Sequence, residues 1–151
     1  SGDMRLVIQV AKDAKVSVEN EIIGQIPYGF VVLIGVENAD TKEIADKMLK
    51  KMLGLRIFPD ENGKTNLNLE QVNGELLLIS QFTLYADCRK GYRPSFTNAG
   101  SPDYAKEMYE YMIDKCKETN INVQTGEFGA HMEVSFTNDG PFTIILDSRD
   151  M

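Results

Sequence analysis

The run Gly29 to Val36, Gly-Phe-Val-Val-Leu-Ile-Gly-Val, limits the fold more than any other stretch of this chain. It carries no charge and is rich in β-branched side chains, so it is predicted to be a strand buried at the centre of a sheet. Other strand candidates surround it. Met4 to Val10 is one; Val16-Ser17-Val18 and Ile22 to Ile26 form a hairpin pair across Glu19-Asn20-Glu21. Helix 41–53 is predicted next, with Asp40 as N-cap, Glu43 in its first turn, and Ile44, Met48, Leu49 and Met52 on one face. Gly54 is expected to stop it. Leu55 to Phe58 is a short strand candidate, 59–74 a long polar loop, and Glu75 to Ala86 the longest strand candidate. Ser101-Pro102 opens a second helix whose apolar face holds Ala105, Met108, Tyr109, Met112, Ile113 and Cys116. Strands around Ile121 to Gln124, Met132 to Phe136 and Phe142 to Leu146 close the chain, the last two separated by a predicted turn, Asn138-Asp139-Gly140-Pro141. Strands and helices do not alternate strictly, which disfavours a doubly wound parallel sheet. The 151 residues fit one α+β domain, with a mixed, mostly antiparallel, barrel-like sheet and two packed helices.

Composition excludes several classes. The apolar runs Phe30 to Ile34 and Leu76 to Ile79 are too short to span a bilayer. No charged-apolar-small leader opens the chain, and Ser1-Gly2-Asp3 reads as an added remnant before a natural start at Met4, so a cytoplasmic protein without membrane contact is expected. Cys88 and Cys116 lack metal-type spacing and are expected to be reduced thiols. A net charge of −7 argues against a protein that coats nucleic acid non-specifically. One basic stretch, Arg89-Lys90-Gly91-Tyr92-Arg93, is either a solvated loop or a small phosphate-contacting site. His131 is the one histidine, no metal-ligand spacing or phosphate-binding glycine loop is present, and Gly-x-Ser-x-Gly is absent. No cofactor is implied. Without further signal, these residues reach only a soluble α+β domain, with catalysis left open.

The segment Ser80-Gln81-Phe82-Thr83-Leu84 adds such a signal. In a strand, Ser80, Phe82 and Leu84 would face one way and Gln81 and Thr83 the other. Hydroxyls and amides in a buried sheet must be hydrogen-bonded, either to nearby backbone or as the lining of a pocket.

Ser80 to Asp87 (SQFTLYAD), Arg89 to Phe96 (RKGYRPSF) and Asn138 to Thr143 (NDGPFT) closely resemble the D-aminoacyl-tRNA deacylase family, also described as D-tyrosyl-tRNA deacylases. MRLVIQV from Met4, Leu53 to Phe58, GELLLISQFTL from Gly74 and Phe128 to Met132 fall in the family's order, so the resemblance spans the chain from Met4. It implies a homodimer that hydrolyses the ester between a D-amino acid, or glycine, and the terminal adenosine of tRNA, with active sites at the subunit interface. Ser80, Gln81, Phe82 and Thr83 are then the catalytic strand. Gly140-Pro141 of the other subunit, joined in the family by a cis bond, turns its carbonyls into the pocket and rejects an L side chain. Phe128 and Met132 lie near the terminal adenine. Arg89, Lys90 and Arg93 are the expected phosphate partners. Backbone N–H groups near Phe82 and Thr83 are the expected oxyanion hole, with the ribose 2′-hydroxyl assisting. Thr83 is read first as a hydrogen-bonding or water-orienting group and second as a nucleophile, and Gln81 braces the site.

Three positions depart from the family pattern. Val10 stands where many members have an Arg that holds the Gly-Pro element, Phe142 replaces a Val, and His131 stands where an Asp is common. They motivate two alternatives: an inactive or repurposed nucleic-acid-binding dimer, and a chirality-relaxed deacylase acting on L-alanyl-tRNA. The retained Ser80 and Phe82 argue against the second.

Overall fold

The computed structural model describes residues 3–151; Ser1 and Gly2, part of the expected remnant, lie outside the described residues. Folding of the sheet is organised by a hairpin. Strand β1 (Arg5–Val18) pairs antiparallel with strand β2 (Glu21–Gly35), from Arg5↔Gly35 to Val18↔Glu21. Glu19 and Asn20 form the turn with φ of 50° and 68°. Two left-handed residues match the right-handed twist of a hairpin, and Asn adopts that conformation readily. The predicted strand at Met4 to Val10 and the half-hairpin at Val16 to Val18 are thus one strand.

Helix α1 (Lys42–Gly54) follows β2. Its N-cap is Thr41, not Asp40: the Thr41 hydroxyl accepts from the Ile44 N–H at 3.2 Å. Asp40 turns back instead and accepts from the Glu37 N–H at 2.7 Å. Gly54 belongs to the helix, and the Leu55 N–H closes the last turn onto the Met52 carbonyl. The expected strand at Leu55 to Phe58 shrinks to β3 (Phe58–Pro59), which pairs with β4 (Thr65–Leu67) inside the segment read as loop. Asp60 makes that small ribbon possible, because its carboxylate accepts from the Asn62 and Lys64 N–H groups of the connecting turn.

Strand β5 (Glu75–Ser80) ends sooner than predicted. The chain curls at Gln81 into a 3-10 turn, Phe82–Tyr85. Helix α2 (Pro102–Lys117) begins with proline in its first turn, as expected, and β6 (Val123–Thr125) follows. The final predicted pair of strands is one strand, β7 (Glu133–Asp147). Both of its halves pair antiparallel with β1, so the Asn-Asp-Gly-Pro stretch does not reverse the chain.

The sheet order is β6-β5-β2-β1-β7. β1 is antiparallel to both neighbours, whereas β2, β5 and β6 run parallel, with α1 and α2 as the crossovers. The long ladders are antiparallel, and the sheet is open, so the expected barrel-like closure does not form. β2 is central and covered on both faces: Phe30, Val31 and Val32 are fully buried. Leu6, Ile8, Phe30, Val32, Leu76 and Leu78 pack against Ala45, Met48 and Met52 of α1 and Met108 and Met112 of α2. A smaller cluster on the other face joins Val16, Ile26, Val31, Leu77 and Ile79. Gly29, at φ +148°, is where β5 joins: a Cβ there would lie 1.9 Å from the Glu75 carbonyl oxygen. Only glycine permits that approach.

The two chain ends meet in a charged cluster. Arg5 pairs with Asp3 at 3.0 Å and with Asp147 at 3.1 Å, and Arg149 pairs with Asp147 at 3.0 Å. Burial, then a hydrogen bond shared with Asp147, pushes the Asp3 carboxyl up to about 6. Burial also opposes ionisation of Asp147, but hydrogen bonds from Asp3, Arg149 and Arg5 hold it well below the usual range. Because Asp3 titrates near 6 folded against 3.8 unfolded, the native state retains a proton that the unfolded chain has released between those values. That contribution falls as pH rises through this window. Asp3→Asn removes the titration, so its thermal midpoint should decline less than that of the unaltered protein between the two values; identical pH dependence would sink the assignment.

Candidate functional site

Parallel strands deliver their carboxyl ends to one edge of a sheet, where ligand crevices form. β2, β5 and β6 do so here. A cleft of about 710 Å³ lies at that edge, between Ile34 and Val36 of the β2 end, Ile79 to Phe82 of the β5 end, and Phe128 to Met132 beyond β6. The N-terminal end of α2 closes it with Ser101, Pro102 and Ala105. Its lining is largely apolar, with the Ser80 hydroxyl, the Gln81 amide and the positive end of the α2 dipole as polar features.

The 3-10 turn after β5 is held from several sides. The Gln81 N–H donates to the Ile34 carbonyl at 2.8 Å, continuing the β2 pairing one residue past the strand. The Gln81 side-chain amide donates to the Thr83 hydroxyl at 2.6 Å. Arg5 donates to the Leu84 carbonyl at 2.8 Å and lies 5.1 Å from the Tyr85 ring centre. The buried Tyr85 hydroxyl donates to the Asp3 carbonyl at 2.6 Å. Burial first, and then the Asp40, Glu37 and Asp3 carboxylates, keep that phenol protonated far above its ordinary range.

Strand alternation therefore fails beyond Ser80. Phe82 stays 57% exposed at the cleft wall and meets Phe96 edge-on, ring centres 5.1 Å apart. Ser80, Gln81 and Phe82 line the cleft; Thr83 does not, and reaches it through the Gln81 amide. That amide cannot take a proton, so it orients Thr83 without activating it as a nucleophile. Phe82 and Thr83 open the 3-10 turn, so their N–H groups have no acceptor within it.

On the opposite wall, Phe128 packs at 6.1 Å from Tyr109, and Met132 and the exposed His131 complete the surface. The sequence reading missed Phe96, Thr97, Ala99, Gly100 and the α2 start as lining residues. Gly100 was the available signal, a glycine just before a helix. Its N–H donates to the Val36 carbonyl at 2.8 Å, and a Cβ there would lie 2.9 Å from that same oxygen.

The remaining predicted residues lie elsewhere. Arg89 is engaged by Asp87 at 2.9 and 2.7 Å, and that partner is held down to about 2 by the Arg89 hydrogen bonds. Lys90 and Arg93 are exposed and line no part of the cleft. Gly140 and Pro141 are also exposed and outside the cleft of their own chain. Their peptide bond is cis. They sit in a bulge: Gln9 pairs with Thr143 and Ala11 with Asn138, so Asp139 to Phe142 stand opposite Val10 alone. Asn138 ties the bulge together. Its amide donates to Gln9 and to Thr143, each at 3.0 Å, and its oxygen accepts from the Phe142 N–H at 3.0 Å. Val10 is buried in the main core, and Phe142 packs its ring partly buried against that core. Among the described residues, no group of three or more His, Cys, Asp or Glu side chains is placed to hold a metal ion.

The family described as D-Tyr-tRNA(Tyr) deacylase matches residues 7–147. A D-aminoacyl-tRNA deacylase of Thermosipho africanus is 56% identical over 146 residues, covering 97% of this chain and 98% of its own. One from Bacillus cytotoxicus is 49% identical, covering 97% and 100%. Among solved structures, a c-Myc DNA unwinding element binding protein superposes with a TM-score of 0.86 at 36% identity, over 95% of this chain and 97% of its own. A probable eukaryotic D-amino acid tRNA deacylase shares the fold, with a TM-score of 0.80 at 17% identity over 96% and 99% of the two chains.

Tyr109 supports the cleft wall from below. Its buried hydroxyl donates to the Leu78 carbonyl at 2.6 Å while its ring backs Phe128. Tyr109→Phe should lower unfolding free energy by about 1 kcal/mol in urea titrations, the usual net value of one buried hydrogen bond. No change would show that the hydroxyl contributes nothing.

Proposed function

The chain belongs to the D-Tyr-tRNA(Tyr) deacylase family, and on that premise we propose that it hydrolyses the ester of D-aminoacyl-tRNA, and of glycyl-tRNA, as a homodimer. One observation carries the reading. The cleft presents Ser80, Gln81 and Phe82 on one wall and Phe128 and Met132 on the other, while Gly140 and Pro141 lie outside it. A cleft lacking its selectivity element within one chain is completed by the bulge of a second chain. Exposed apolar groups suit such a partner: Ile145 on β7 is 67% exposed and Phe82 57%.

In this reading the terminal adenine lies against Phe128 and Met132, where a flat apolar surface suits a base. The ester carbonyl approaches the 3-10 turn, whose opening N–H groups stabilise the oxyanion as water attacks the carbonyl carbon. The ester C–O bond then breaks, and the departing ribose oxygen takes up a proton. The Gln81-Thr83 pair orients the ester or the water. Selectivity resides at the α-carbon: the partner's Gly-Pro edge leaves room for hydrogen where an L residue would place its side chain. Such a filter discriminates little among D side chains. Lys90 and Arg93 border the acceptor end, while Arg89 stays on Asp87 and holds their loop.

A second reading draws on the solved relative named for binding a DNA unwinding element. A nucleic-acid-binding dimer of this fold would bind without turnover. Matched D-tyrosyl-, L-tyrosyl- and glycyl-tRNA, incubated with the purified protein with and without a chelator, separate the readings. Loss of the D and glycyl esters, unaffected by chelator and with the L ester spared, is expected. Equal loss of D and L esters would indicate relaxed chirality, and no turnover would favour the binding protein.

The Asn138 hydrogen bonds predict a separable effect on selectivity. Asn138→Ala leaves the Phe142 N–H without its acceptor and frees the bulge from Gln9. Hydrolysis of L-tyrosyl-tRNA relative to the D ester should rise about tenfold, the equivalent of one or two lost hydrogen bonds. An unchanged D-to-L ratio would show that this network does not position the filter.

A further inference from the structure

The last turns of α1 carry Lys47, Lys50 and Lys51, and Arg56 follows just beyond the helix. All four are exposed, and with Met151 they border a groove of about 490 Å³ that no Asp or Glu side chain lines. Five of the twelve other cations of this acidic chain are ion-paired among the described residues, and the groove is set apart because its four cations gather on one surface. Arg5 and Arg149 pair with Asp3 and Asp147, Lys12 with Asp139, Arg89 with Asp87, and Lys115 with Glu118. Lys47, Lys50, Lys51 and Arg56 have no ion pair among the described residues; Arg56 donates only to the neutral Asn66 carbonyl and side-chain oxygen. Their charge is therefore available to an outside anion.

The groove lies well away from the cleft. α2 starts at the cleft, and its other end, at Lys115 and Cys116, shares a recess with Lys50 and Leu53 of α1. Sixteen helical residues span about 24 Å. A single terminal nucleotide cannot bridge that distance, whereas a duplex arm leading away from the cleft can, presenting a row of phosphates to the helical layer.

We infer that the Lys47-Lys50-Lys51-Arg56 groove holds the sugar–phosphate backbone of the double-stranded acceptor arm of tRNA while the cleft holds its 3′ end. This rests on the deacylase reading for its ligand. Lysines act here as point charges that displace counterions, so the contact adds affinity and a steep salt dependence without reading sequence.

The test combines two measurements on the full chain and on Lys47→Gln/Lys50→Gln/Lys51→Gln. The first is the affinity for uncharged tRNA across a salt series. The triple variant should bind about tenfold more weakly near physiological salt, with a log–log salt slope shallower by about 2 to 3, one step per lost phosphate contact. The second compares D-tyrosyl-tRNA with 3′-D-tyrosyl-adenosine, which fills only the cleft. KM for the tRNA ester should rise about as much as the affinity falls, kcat should hold, and hydrolysis of the adenosine ester should not change. An unchanged salt slope, equal losses on both esters, or binding of the unaltered protein to anionic vesicles but not to tRNA would overturn the inference. If the unaltered protein cleaves neither ester, the deacylase reading falls, and the uncharged-tRNA titration still decides the groove.

Discussion

The cleft exists because β2 and β5 run parallel. Their register begins where the Gly29 backbone meets Glu75 and ends with Ile34 opposite Ser80. Gly29 tolerates an approach that any Cβ would block, so the start of this ladder is fixed by sterics. A parallel pair needs a crossover, and α1 supplies it between β2 and β5. α2 then carries the chain from β5 to β6. Both helices lie on one face, and three carboxyl ends open on one edge. The core and the cleft thus follow from a single pairing.

A second constraint holds the turn at the cleft wall. Arg5 joins the Leu84 carbonyl, the Tyr85 ring and two carboxylates, while Tyr85 reaches the Asp3 carbonyl. The charged cluster where the chain ends meet is also the support of the 3-10 turn. Cations spent in this way are unavailable to a ligand. The same holds for Arg89, which braces its own loop through Asp87. This division of charge separates structural arginines from the unpaired lysines of α1.

The bulge in β7 shows how one framework absorbs a sequence departure. Val10 offers no hydrogen bond and is buried in the core, yet the Asn138 amide links Gln9, Thr143 and the Phe142 backbone. Phe142 turns its ring toward the core and so keeps its bulk away from the exposed Gly140-Pro141 edge. Neither substitution alters the cleft lining of the chain itself.

Much of the fold was legible in the residues. The uncharged β-branched run from Gly29 fixed a central strand, the 3.6-residue apolar spacing fixed both helices, and Glu19-Asn20 marked the hairpin. These are local consequences of period and turn chemistry. By resemblance the motif around Ser80 pointed to the wall of the cleft, whereas the motif around Gly140 lies outside it. The end of β5 was not legible, because Phe82 to Tyr85 have strand-like side chains; the curl is set by the Ile34 carbonyl and by Arg5, which is distant in sequence. Nor was the bulge, since Asn-Asp-Gly-Pro reads as a reversal until β1 pairs with both of its flanks. The sequence by itself determined the buried central strand, the first hairpin and the apolar faces of the two helices. Only the tertiary structure decided that β5 and β6 run parallel to β2, that the cleft takes Phe96 and the start of α2, and that Gly140-Pro141 stands apart from it. Those outcomes depend on contacts between residues far apart in the chain, which no local pattern encodes.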